Sequence, residues 1–179
     1  MKQSQDQIEQ MFEFAKMHDM LQTLMEGNYS QQYCCYFWEQ QVLDKKEIAQ
    51  GSMSPHELSV FVDRVLSAYG YTQKDCPVTS ARLSSDTQGC THYNSQTGIL
   101  FVEINHKDAS KYVVLHELSH ALLHLIGVHE SQDHGPTFVR VFCELLERFG
   151  DIPVAETLPS AKQNGLLVDN DLPKKLVFR

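Results

Sequence analysis

The stretch Tyr112-Val113-Val114-Leu115-His116-Glu117-Leu118-Ser119-His120-Ala121-Leu122-Leu123-His124-Leu125-Ile126-Gly127 governs the reading of this chain. It carries H-E-x-x-H inside an apolar run that no Pro or Gly interrupts before Gly127. That pattern predicts a buried helix of about four turns, closed by glycine. Residues four apart share a helix face, one turn above the other, so His116 and His120 can aim two imidazoles at one point. Zinc takes imidazole nitrogen at about 2.0–2.1 Å in a tetrahedral arrangement, which two ligands from successive turns satisfy. Glu117 follows the first histidine and can reach a water at the metal as general base without being a ligand. The apolar setting strengthens the reading. Two histidines and a glutamate on such a helix are costly to bury without a partner. Random order of this composition yields on the order of 0.03 such matches.

A catalytic zinc needs a third protein ligand and one open position. His124 cannot supply that ligand together with His116, because eight residues of helix separate them by about 12 Å. Two ligands of one zinc lie at most ~4 Å apart at the metal. His124 reads instead as a partly buried histidine at the edge of a cleft. His134 is the first choice. It stands in the polar loop that returns from the helix, where Gly135 permits a tight backbone and Pro136 fixes the entry of the next helix. His129 is second, and Glu130, Asp133 and Glu144 are carboxylate options. Cys90, after Gln88-Gly89, is a weaker thiolate option because its spacing to the motif is short.

The whole chain sets bounds around this site. Its 179 residues suffice for one domain with a core. Hydrophobic residues make up 42% and charged residues 21%, the balance of a globular protein. The net charge of −8 argues against nucleic-acid binding through a general basic surface. The N-terminal Met1 to Gln7 is polar with no apolar segment behind it, and no run approaches the ~20 residues that span a bilayer. Five scattered cysteines without C-x-x-C suit neither a disulfide framework nor a zinc ribbon. A cytoplasmic compartment is expected.

Helical signals occupy residues 6–25 and about Tyr33 to Ala49, the latter with Trp38, Val42 and Ile48 as expected core positions. Tyr33, Tyr36, Phe37 and Trp38 read as core packing rather than as a binding patch. Ser54-Pro55-His56-Glu57 combines an N-cap, Pro at the first helical position and a capping box, followed by Leu58, Phe61, Val62, Val65 and Leu66 at helical spacing. Strand signals follow at Val78–Leu83, Cys90–Tyr93 and Ile99–Ile104, with a hairpin loop over Asn94–Gly98. Asp108 or Ser110 can cap the motif helix. Pro136 opens another helix, whose Phe138, Val141, Phe142, Leu145, Leu146 and Phe149 make an apolar stripe and which Gly150 stops. A weaker helix is expected near Val154 to Lys162.

His116-Glu117-x-x-His120 with His134-Gly135-Pro136-x-Phe138 fourteen residues later resembles the SprT-like zinc metallopeptidases. A group of small metallohydrolases of bacteria and phages is similar over more of the chain. It shares Phe37-Trp38-Glu39-Gln40-Gln41-Val42-Leu43-Asp44, the run Leu145 to Gly150, and Ala155 to Leu158 with Gly165-Leu166. The resemblance implies that His116, His120 and His134 hold zinc, that Glu117 is the catalytic acid/base, and that the compartment is the cytoplasm of a bacterium or of a phage-infected cell. The elements read from the sequence make an α+β fold, with a helical N-terminal half, a small antiparallel sheet, the H-E-x-x-H helix and the helix after it; the resemblance implies that it is a minimal zincin-like one. One domain would cover 1–179, with N-terminal helices over 1–53, a catalytic core over 54–150 and an extension over 151–179. The zinc ribbon or DNA-binding segment that SprT-like proteins often carry is not seen. The ImmA/IrrE group also resembles the motif, through His116, His120 and His124, but its downstream segment has no counterpart here.

The expected activity is zinc-dependent hydrolysis of a peptide bond in a peptide or protein substrate. Ile99, Phe101 and Glu103 are expected to bind that substrate, on the premise that Ile99 to Glu103 is an edge strand open to β-addition. Tyr93, His92, His124 and Arg140 are the options for an oxyanion donor. Two alternatives stand beside this reading: a non-catalytic zinc-stabilised binding or regulatory protein, and a small-molecule amidase. The sequence leaves substrate and oligomeric state open.

Overall fold

The structure, a computed structural model, describes residues 30–43, 48, 51–85, 87–129 and 133–178. Within them the chain runs α1 (Ser30–Leu43), α2 (Pro55–Ala68), β1 (Val78–Ala81), β2 (Gly89–Asn94), β3 (Ile99–Asn105), α3 (Lys111–Leu125), α4 (Pro136–Gly150) and α5 (Val154–Gln163). This is a mixed α+β fold. The helix expected over residues 6–25 and the side chain of Val42 lie outside the described residues.

Helix α3 is the central element. It is buried almost all round, from Val113 through Ser119 and again at Ala121–Leu123, because it has the sheet on one side and α4 on the other. Ser110 is its N-cap, accepting from the Val113 amide; this satisfies one of the helix's orphan donors. Gly127 takes φ +70° just past its end, a conformation that favours glycine. Helix α4 turns its apolar stripe toward α3, and Phe138, Phe142, Leu145 and Leu146 are fully buried. Each such side chain contributes roughly 1.5–3 kcal/mol of transfer free energy. The end of α4 differs from expectation. Gly150 is its last residue, and the left-handed cap is Asp151 at φ 56°. A Cβ at 150 would overlap Ile48 Cδ1, so any larger residue there has to displace that methyl.

The capping box of α2 forms as expected, with Ser54 accepting from the Glu57 amide and the Glu57 carboxylate accepting from the Ser54 amide. Helix α5 packs on α4, and α1 on α5. Trp38 of α1 is fully buried, edge-on to Phe142 at 6.2 Å, and its indole N–H donates to Ser160 Oγ. Long-range hydrogen bonds between the Gln31 side chain and the Leu167 backbone add to that seam.

The sheet corrects two expectations. It is mixed rather than antiparallel: its order is β1-β3-β2, and β1 runs parallel to β3 while β2 runs antiparallel. Strand β3 is therefore the middle strand. Over Val102–Ile104 it is paired on both sides, so it is not the free edge that substrate addition needs. The side chains proposed for that role also face the other way. Leu100, Val102 and Ile104 are the buried set, so alternation turns Ile99, Phe101 and Glu103 away from α3. Phe101 stacks on His92 at 4.4 Å, and Glu103 pairs with His92.

Candidate metal centre

One group of three metal-competent side chains forms among the described residues: His116, His120 and His134. Their ligand nitrogens all lie within 4.8 Å of one another. Helix α3 supplies the first two from successive turns, as the i, i+4 spacing requires. The loop before α4 supplies the third, and its backbone geometry follows from Gly135-Pro136, which starts α4 directly behind His134. His134 Nε2 stands 3.1 Å from His116 Nε2. Two nitrogens on one tetrahedral zinc are about 3.3 Å apart. Without a cation this contact is an N–H···N hydrogen bond; a divalent ion takes a lone pair from each ring instead. The donor set and its spacing thus fit a metal ion.

Electrostatics keep two of the rings neutral, which ligation requires. Burial and the neighbouring His116 push His134 down to about 3. Burial, helped by His116 and His134, holds His120 well below the ordinary histidine value. His116 behaves differently. Burial alone lowers it, yet the Glu39 carboxylate beside it reverses the sign and raises it.

Glu39 was not anticipated from the sequence, and it organises the centre. It lies on α1, is only 1% exposed, and accepts from His116 Nδ1–H at 2.9 Å. That bond fixes the tautomer, so Nε2 is the atom left to face His134. Tyr112 Oη donates to the other carboxylate oxygen at 2.6 Å, and Cys35 Sγ donates to the first at 3.3 Å. Burial works to raise Glu39, but the His116 charge and the bonds from His116 and Tyr112 prevail and hold it below the usual carboxylate range. Phe138 forms the floor, stacked on His120 at 4.2 Å and edge-on to His134 at 4.7 Å.

Tyr36 was expected in the core with its aromatic neighbours. Trp38 is there, but Tyr33 and Tyr36 are 43% and 40% exposed. The Tyr36 ring lies 5.0 Å from His134 and 6.1 Å from His116, at the mouth of the centre. Its position follows from helical spacing, three residues before Glu39 on the same face.

No protein-family model, no curated protein and no solved structure matches this chain. Resemblance to a family therefore rests on the motif residues alone, and the chemistry of the centre must be argued from its own groups.

Glu117 sits on α3 beside the histidines. It is buried, with its Oε2 accepting from Thr91 Oγ1 of β2 at 2.7 Å. Burial raises its carboxyl, with His116 and the Thr91 bond working against the shift. The other residues weighed for the site fall elsewhere. His124 stacks on Tyr93 at 4.4 Å and His129 lies 5.5 Å from His124, a separate group beyond the end of the cluster. Asp133 is exposed and outside the cluster, Cys90 is outside it too, and Glu130 is outside the described residues. Glu144 is held between Arg140 and Arg148 along α4, which also commits the Arg140 guanidinium. His92 is held on the outer face of the sheet by Glu103 and Phe101. Among the described residues no helix is long and apolar enough to cross a membrane.

Proposed function

We propose that this chain is a zinc-dependent metallohydrolase that cleaves peptide bonds, with a zincin-like centre of the SprT-like kind. The observation that carries the reading is the meeting of three imidazoles from two elements with a buried glutamate next in sequence to one of them. A clamp that only stabilised the fold would need the histidines and not that carboxylate. A bound zinc ion would supply Lewis acidity, polarising the scissile carbonyl and acidifying a water. Glu117 takes the proton of that water as its oxygen attacks the carbonyl carbon, then delivers it to the amide nitrogen as the C–N bond breaks. The raised Glu117 carboxyl suits this work, since a base is most effective with a pKa near the operating pH. Glu39 keeps His116 oriented throughout.

Strand β2 replaces β3 as the surface that would hold substrate. Asn105 N–H donates to Gln88 C=O at 2.8 Å, which puts the hydrogen-bonded pairs of the β2–β3 ladder at even positions of β2. The amides and carbonyls of Gly89, Thr91 and Tyr93 therefore point to the outer edge of β2. A peptide can add there as a further strand, with backbone bonds setting its register. That edge runs beside Glu117, as its Thr91 contact requires.

The test is Glu117→Gln in the zinc-loaded chain, assayed on fluorescein-labelled casein. Zinc content stays at the wild-type level and turnover falls by roughly a thousandfold or more, the scale of a lost general base. Turnover within tenfold of wild type would overturn the mechanism.

A further inference from the structure

We propose that Thr91 and Gly89 of β2 form a clamp that fixes the orientation of the Glu117 carboxylate, with Thr91 as a positioning residue. The inference rests on the hydrolase reading for its consequence, though the clamp itself stands on geometry alone. The Thr91 hydroxyl lies 2.7 Å from Glu117 Oε2 and 3.0 Å from the Glu117 carbonyl oxygen. One hydroxyl thus spans both ends of the same residue, tying the tip of the side chain to its own backbone. Gly89, two residues earlier, lies on the same face of β2. A Cβ there would stand 2.6 Å from Glu117 Cγ and 3.0 Å from Oε1, so only glycine lets the side chain lie where it does.

These contacts restrain different parts of one flexible chain. Glutamate has three rotatable side-chain bonds, and an untethered carboxylate would sample many rotamers. Gly89 leaves a slot for the Cγ end and Thr91 holds Oε2. Both residues also offer outward backbone groups at the edge of β2. The strand that would carry substrate is thus the strand that aims the base, and the two are registered through one rigid element. A displacement of about 1 Å at a reacting group costs on the order of 100-fold in rate, so the clamp matters out of proportion to its single hydrogen bond.

Two measurements on the full zinc-loaded chain test this. With labelled casein, Thr91→Val lowers kcat roughly 10–100-fold and leaves KM within about twofold. Thr91→Ser, which keeps the hydroxyl, recovers most of the loss, and Gly89→Ala reproduces it by pushing Glu117 aside. Zinc content is unchanged in all three. The second measurement needs no substrate. Thr91→Val lowers the melting temperature by roughly 3–10 °C, and that drop shrinks by at least half when Glu117 is already Ala. An undiminished kcat in Thr91→Val, or an equal melting cost in both backgrounds, would overturn the clamp. Should wild type leave casein intact, the hydrolase reading is the one that fails, and the melting comparison still decides the clamp.

Discussion

Helix α3 carries histidines into two neighbouring regions, and they differ in kind. At its middle, His116 and His120 meet His134 with nitrogens in ligating reach. At its end, His124 stacks on Tyr93, and Tyr93 also stacks on His129. Both regions are rich in imidazole and lie one or two turns apart. The first has a buried carboxylate behind it, Glu39, that holds one ring in a single tautomer. The second has no such backing among the described residues. Density of histidine alone therefore does not assemble a group that could hold a metal ion. Convergence of nitrogens from two elements does so here, with an orienting acceptor on the far side of one ring.

The contrast breaks first under ligand removal. His120→Ala should weaken zinc binding roughly 1000-fold, a third of what a full ligand set contributes. His124→Ala, one turn away, should change it by less than about threefold. Competition with a chromophoric chelator measures both. Equal losses would erase the distinction between the two regions.

Removing the backing carboxylate should have a smaller effect. Glu39→Gln keeps the size of the side chain and the contact to Tyr112, but it weakens acceptance from His116. Zinc affinity should fall about 10–100-fold, the usual scale for a lost orienting partner. The same competition assay reads it, and an unchanged affinity would reduce Glu39 to a packing residue.

The sequence disclosed these two layers unequally. The meeting of His116, His120 and His134 is legible because a helical period and a Gly-Pro turn link them locally. Glu39 was not, because 77 residues separate it from His116 and nothing in Trp38-Glu39-Gln40 marks a glutamate as buried. Tyr36 departs from the core expectation for a related reason: an aromatic beside Trp38 looks like core until the position of the opposing ring is known. Thr91 and Gly89 are ordinary strand residues until α3 is laid against them. The fold divides the same way. The Ser54 capping box and the apolar runs of α3 and α4 announce themselves, and the Asn94–Gly98 loop announces the β2–β3 hairpin. The four-residue β1 carries only half-exposed and exposed positions. Such a strand does not say which side of β3 it joins or in which direction, so the mixed sheet and the central place of β3 were out of reach. The edge-strand expectation fell with them.

A gentler probe is pH. His134 has its folded pKa pushed to about 3, below the unfolded value of about 6.5. Between these values the folded metal-free chain binds fewer protons than the unfolded chain. The stability this ring contributes is complete above about 6.5 and is lost as pH falls toward 3. His120 acts in the same direction. His116, which is raised, opposes them: its contribution is present below the unfolded value and is lost as pH rises through its folded value. The metal-free protein should therefore lose stability on acidification below pH ~6.5, by up to about 1.4 kcal/mol per pH unit for each such proton. Chemical denaturation across that range measures the slope, and His134→Ala should reduce it by about one proton's share, leaving that of His120. A slope undiminished by the substitution would assign that proton elsewhere.

The proposed zinc centre depends on His134 closing the ligand set, and zinc stoichiometry examines that with the fewest intervening steps. The full chain is loaded with zinc, freed of excess, and analysed for metal per chain beside His134→Ala and His124→Ala. One zinc in wild type and in His124→Ala, and none in His134→Ala, is the expected result. A His134→Ala chain that still holds one zinc would contradict the proposed centre.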